Sequence, residues 1–160
     1  MPSRREKSPS APFPKEARFL SRSPGETRRL GARLGEALRA GDRVLLVGPL
    51  GAGKTLFIRG LAEGLGVRDA DEVVSPTFIL AQRFAGRGGL ALHHVDLYRI
   101  ETLSDWHGAG LDEIAADESS VAAFEWGEKI PYALPGAFRV TIRLGKKETE
   151  REIEIERGAM

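Results

Sequence analysis

Eight consecutive residues, Gly48-Pro49-Leu50-Gly51-Ala52-Gly53-Lys54-Thr55, spell a complete G-x-x-x-x-G-K-[ST] loop. Each demanded residue type has a chemical task. Glycines let backbone N–H groups turn inward around an anion, the lysine ammonium reaches the outer phosphates, and the threonine hydroxyl suits Mg²⁺. The pattern predicts a nucleoside triphosphate site. Such a site needs carboxylates at its metal, and two apolar runs each end in one: Leu90–Val95 in Asp96 and Val121–Phe124 in Glu125. Either acid could hold Mg²⁺, directly or through water, and polarise an attacking water. Thr77, in the Ser75-Pro76-Thr77 turn, could approach the γ-phosphate as a switch-loop hydroxyl does, or simply form the turn. His94 shares a strand face with Asp96 by period two and is expected as a hydrogen-bonded structural histidine rather than a base. His93 and His107 lack partners at ligand spacing, so no transition-metal site is expected.

For the loop to work, a strand must feed it and a helix must leave it. Arg43–Val47 is a short β-branched run suited to a buried strand, and Gly53–Leu65 places Ile58, Leu61, Ala62 and Leu65 on one helical face. Further upstream, Ala17–Ser21 reads as an edge strand. Ser23-Pro24-Gly25-Glu26 then supplies a cap serine, a proline at the first helical position and a capping-box glutamate, for a helix to about Leu38. Capping alone accounts for Ser23; a second contact with a base or sugar is the alternative, because the turn precedes the loop strand. Glu72–Leu80 pairs an apolar run with the Ser-Pro-Thr turn and another strand. A hairpin is expected across Gly86–Gly89, returning as Leu90–Tyr98, and a second one joins Phe138–Leu144 to Glu150–Glu156. The expected architecture is α/β: a P-loop NTPase-like three-layer sandwich with a mixed, mainly parallel central sheet and a C-terminal antiparallel hairpin.

The 160 residues suit one domain, 17–160, preceded by a Pro/Ser/Arg-rich tail, 1–16, that cannot bury much apolar area and is expected to be disordered. There is no cysteine, hence no disulfide, thiol nucleophile or cysteine zinc site. No apolar run reaches membrane-span length and the N-terminus has no apolar signal core, so a soluble, cytoplasmic protein is expected. The net charge is +1, but residues 1–43 hold eleven Lys and Arg against five acids. That imbalance suggests a docking face or an anionic ligand near the front half, or an ordinary solvated surface. No dense basic stripe with interleaved aromatics marks a general nucleic-acid binder.

Four blocks together resemble one family. Gly51-Ala52-Gly53-Lys54-Thr55, Ser75-Pro76-Thr77-Phe78, His94-Val95-Asp96-Leu97-Tyr98-Arg99 and Glu125-Trp126 occur in the order and spacing of the TsaE (YjeE) family. The likeness runs from about Phe19 to Ile155. It implies a weak Mg²⁺-dependent ATPase of tRNA threonylcarbamoyladenosine (t6A) synthesis, acting with a TsaD–TsaB heterodimer and meeting tRNA through that complex. Thr55 and Glu125 would be Mg²⁺ ligands, while Lys54 and the amides of Gly51, Ala52, Gly53, Thr55 and Leu56 would hold phosphates. Asp96 would be the second-sphere or catalytic acid, Thr77 would sit on a switch, and Ser23 would lie near the nucleotide.

Some positions depart from the family pattern. Pro49 stands where an acidic residue is common and removes one outer-loop N–H. Leu56 replaces a frequent threonine, and Trp106 a usual aliphatic. Other nucleotide chemistries are distinguishable. No N/T-K-x-D base-recognition motif is present, which favours adenine over guanine. A small-molecule kinase would add an arginine-bearing lid, for which Arg83 and Arg87 are the candidates. A nucleotide-gated binding module without hydrolysis differs from the ATPase only in rate.

Overall fold

The computed structural model describes residues 13–74 and 80–159. In chain order the elements are β1 (Glu16–Ser21), α1 (Pro24–Ala37), β2 (Arg43–Val47), α2 (Lys54–Gly64), β3 (Ala81–Ala85), β4 (Ala91–Asp96), α3 (Leu103–Gly108), α4 (Leu111–Ala116), β5 (Ser120–Glu125), β6 (Phe138–Leu144) and β7 (Arg151–Arg157). The strands form one seven-stranded sheet in the order β1-β7-β6-β2-β5-β4-β3. The pairs β6–β2, β2–β5 and β5–β4 are parallel; β3–β4 and β6–β7 are antiparallel hairpins, and β1 adds antiparallel to β7 at the edge. Three layers, a mixed sheet and the C-terminal hairpin all match the expected architecture.

Strand alternation sorts the core onto two faces. Val44, Leu46, Val121, Ala123, Val140 and Ile142 pack under α1 and α2. On the reverse face, Val95, Ala122 and Phe124 pack under Trp106 of α3 and Leu111 and Ala115 of α4. β5 is buried along its whole length, as a central parallel strand with both faces covered must be. The reverse layer stops at β2, so the outward positions of β6, β7 and β1 carry charges instead, such as Arg18 and Arg143 on Glu154.

Two features of the helical layers lie beyond the sequence patterns. Gly31 and Gly35 of α1 face Gly60 and Gly64 of α2, and a Cβ at any of the four would collide with a backbone oxygen of the other helix. The helices therefore touch backbone to backbone, and glycine is required for the approach rather than for any dihedral angle. Arg43, buried at the start of β2, donates Nε to the Ala115 carbonyl at 2.8 Å and Nη1 to that of Ser120 at 3.0 Å. It thereby satisfies the end of α4 where the chain turns into β5.

The chain departs locally from the expected elements. Phe13 packs on the core and the Lys15 carbonyl accepts the Arg157 N–H at 2.8 Å, so ordered structure begins ahead of Ala17. Aromatic contact with Phe19 explains why: the centroids are 6.3 Å apart. Ala70–Glu72 is a single 3-10 turn and β3 begins only at Ala81. Thr77 and its neighbours in 75–79 lie outside the described residues, so the strand expected there does too. No helix among the described residues is long and apolar enough to cross a membrane.

Candidate nucleotide site

Sheet register brings three strand ends together. Leu46 of β2 and Asp96 of β4 both pair with Glu125 of β5, so the phosphate loop leaving β2 opens beside two carboxylates. This is the carboxyl edge of the parallel strands, where open α/β sheets bind ligands. Residues of the loop, β4 and α3 line a cavity of about 970 Å³, among them Gly51, Ala52, Gly53, Lys54, Thr55 and Leu56, together with Tyr98, Ile100 and Ala109. That volume accommodates a nucleotide.

The loop itself is held from behind. Gly53, at φ 106°, turns the chain into α2 without a side-chain cap, and the first amides of such a helix can take an anion. Arg151, opening β7, donates to the carbonyl of Ala52 at 2.9 Å and that of Gly51 at 3.4 Å. Taking the carbonyls on the outside favours N–H groups on the inside. Lys54 Nζ donates to the carbonyls of Gly48 at 2.6 Å and Pro49 at 3.1 Å. Burial pushes its pKa down, against the opposing pull of Glu125, Glu128 and Asp96.

Thr55 Oγ1 donates to Glu125 Oε1 at 2.9 Å, and Glu125 Oε2 lies 2.7 Å from Nε2 of a fully buried His94. A hydroxyl and a carboxylate side by side, at the first turn of a phosphate-loop helix, are the hard oxygen donors that Mg²⁺ takes; the residues fit the ion. Asp96 lines the same cavity, and its Oδ1 accepts the Tyr98 N–H at 2.9 Å. Trp126 follows Glu125 in a left-handed backbone conformation, φ 58° and ψ 46°, which costs a non-glycine residue about 1–2 kcal/mol. Its ring lines the cavity and lies 5.3 Å from that of Tyr98.

The family model for "Threonylcarbamoyl adenosine biosynthesis protein TsaE" matches residues 21–153. The chain belongs to the TsaE family. It is similar to a tRNA threonylcarbamoyladenosine biosynthesis protein TsaE from Treponema pallidum, at 42% identity over 79% of this chain and 90% of that protein. One from Streptomyces coelicolor is 45% identical over 79% of this chain and 84% of its own. The crystal structure of Bacillus subtilus YdiB superposes with a TM-score of 0.67 at 29% identity, covering 91% of this chain and 87% of that one.

Of the residues singled out in this TsaE-family sequence, the structure brings Lys54, Thr55, Asp96 and Glu125 into the lining of one cavity. Gly48 contributes a carbonyl to Lys54 rather than lining the cavity. Ser23 caps α1, accepting the Glu26 N–H at 3.1 Å, and is not among the cavity residues. Arg87 is far from any lid. It donates to the carbonyls of Gly64 at 2.6 Å and Leu38 at 2.9 Å, at the end of α2 opposite the loop, roughly 16 Å away by helix rise. Two arginines line the cavity: Arg59, which sequence reasoning passed over, and Arg99, which closes one of the family blocks but was given no role. Sequence reasoning also passed over Arg151, nearly one hundred residues from the loop it braces, for which no sequence signal exists.

Proposed function

We propose that this chain is the ATP-binding and ATP-hydrolysing subunit of t6A synthesis on tRNA, working in the cytoplasm with a TsaD–TsaB pair. The observation that carries the ATPase part is the contact of Thr55 Oγ1 with Glu125 Oε1 beside Lys54. Family membership supports the t6A part, since the relatives bear that name.

In this reading, Lys54 exchanges the Gly48 and Pro49 carbonyls for phosphate oxygens, and the amides from Gly51 to Leu56 take the remaining ones. Thr55 and Glu125 hold Mg²⁺, which when bound neutralises charge developing on the phosphates. Asp96 orients the attacking water through its carboxylate and accepts its proton. Thr77, which lies outside the described residues, is assigned the γ-phosphate contact of the switch position that the family resemblance implies. Tyr98, Trp126 and Ile100 supply apolar and aromatic surface for the nucleoside and limit water at the reacting end.

The test is ATP turnover by the purified chain, alone and with a TsaB–TsaD pair, beside Lys54→Ala. Slow basal turnover that rises with the pair and vanishes in the variant supports the proposal. Turnover indifferent to the pair but raised by a small metabolite would support a kinase instead.

A further inference from the structure

His94 is the most deeply buried titratable group in the described residues that the mechanism above leaves idle. It has no exposed surface. Its only polar contact is Nε2 to Glu125 Oε2 at 2.7 Å, and Nδ1 is buried without a hydrogen-bond partner among the described residues. A ring placed there for packing alone would be better replaced by an aliphatic side chain, since a buried polar atom without a partner is destabilising. The imidazole therefore stays for Glu125.

The register explains how the two meet. His94 pairs with Ala123 on the neighbouring parallel strand, two residues before Glu125 on the same face. Ala123 carries nothing beyond Cβ, so the imidazole extends over it to reach the carboxylate. A carboxylate oxygen accepts, so the tautomer that serves this contact carries its hydrogen on Nε2. The other oxygen, Oε1, accepts from Thr55. An ion that takes both the Thr55 hydroxyl and the carboxylate displaces that second hydrogen bond and leaves His94 as the side chain still holding Glu125.

We infer that His94 is a positioning residue for the metal-binding carboxylate: its Nε2–H fixes Glu125 Oε2, so that Oε1 stays turned toward Thr55 and the phosphate loop. The inference rests on the nucleotide reading above and adds a residue to it. Hydrogen bonds to a ligating carboxylate orient it before the ion arrives, and losing such a partner lowers metal affinity about 10–100-fold.

The experiment compares wild type with His94→Leu, His94→Gln and His94→Asn. Glutamine places an amide N–H near the reach of Nε2; asparagine keeps polarity but falls short of Glu125. Two readouts are taken: ATP binding in EDTA by calorimetry, and Mn²⁺ binding in the presence of a non-hydrolysable ATP analogue by electron paramagnetic resonance. The expected result is unchanged metal-free ATP binding in all four chains. Mn²⁺ affinity falls about 10–100-fold in the leucine and asparagine variants and recovers to within about tenfold in the glutamine variant. Wild-type Mn²⁺ affinity in a folded leucine or asparagine variant overturns the inference. So does a parallel loss of metal-free binding and melting temperature, which would mark a packing role; if leucine does not fold, the glutamine–asparagine contrast decides alone. A wild-type chain that binds no Mn²⁺ with the analogue would overturn the nucleotide reading itself, and the inference with it.

Discussion

Lys54 Nζ lies 4.0 Å from the centroid of the Trp126 ring while also donating to two loop carbonyls. Phosphate oxygens compete with all three partners for the same ammonium, and charge-assisted bonds to them are stronger than those to neutral carbonyls. ATP binding should therefore change the Trp126 environment. Emission is expected to shift on titration with ATP, to do so still in Trp106→Phe, and to stay constant in Trp126→Phe. Lys54→Ala should lose ATP affinity about 10–100-fold, from the worth of one charged hydrogen-bonding group.

Glu125 is buried between Thr55 and His94, so its two substitutions separate chemistry from folding. Glutamine keeps an acceptor for His94 and should leave the melting temperature near wild type. Turnover with Mg²⁺ should fall by about a hundredfold or more, because a neutral amide binds the ion poorly. Alanine strands the His94 N–H and should cost a further 1–3 kcal/mol or so of stability. Thermal melts and turnover of both variants check this.

How much of this site was legible depended on distance along the chain. The phosphate loop, its strand and its helix are local patterns, and they were readable. Asp96 and Glu125 were readable as acids closing apolar runs, because strand ends align at the carboxyl edge of a parallel sheet. What stayed hidden were contacts set by register between remote strands: His94 over Ala123 toward Glu125, and Arg151 behind Ala52. Periodicity places a residue on a face but does not say which strand lies beside it. Ser23 was legible as a cap, and in the fold its oxygen accepts the Glu26 N–H.

Gly60 and Gly108 should respond oppositely to alanine. Alanine is about 1 kcal/mol better than glycine inside a helix. At Gly108 nothing lies within 4 Å of an added Cβ, so some of that gain should appear as a higher melting temperature. At Gly60 the Cβ meets the Arg28 backbone carbonyl, which cannot move aside as a side chain would. Overpacking there should outweigh propensity and destabilise by about 1–3 kcal/mol. Paired thermal melts decide both signs.

Acid stability should depend on Asp112. Its carboxylate accepts from Tyr132 Oη at 2.6 Å, Trp106 Nε1 at 2.8 Å and His107 Nδ1, and these bonds, Tyr132 first, lower its pKa from 3.8 to about 2. A carboxylate depressed in the fold contributes stability above its unfolded pKa and loses it as pH falls through the folded one. Asp112→Asn should therefore melt lower than wild type at pH 7, and the gap should close between about pH 4 and pH 2. A gap unchanged over that window would assign the effect to shape rather than charge.

The glycine-lined crossing of α1 and α2 has a mechanical consequence. Rotamer changes ordinarily let neighbouring helices slide past one another, but the four glycines at this crossing have no side chains to rearrange. The two helices are therefore expected to shift as one body, with the first turn of α2, at Lys54 and Thr55, at one end. The start of α1 lies beside that same turn: Thr27 Cγ2 is 3.9 Å from the position of a Cβ on Gly53, and Thr27 shares a 2.7 Å hydrogen bond with Ser21 at the end of β1. A displacement of the loop is therefore expected to reach α1 and the end of β1 directly, as motion rather than as charge.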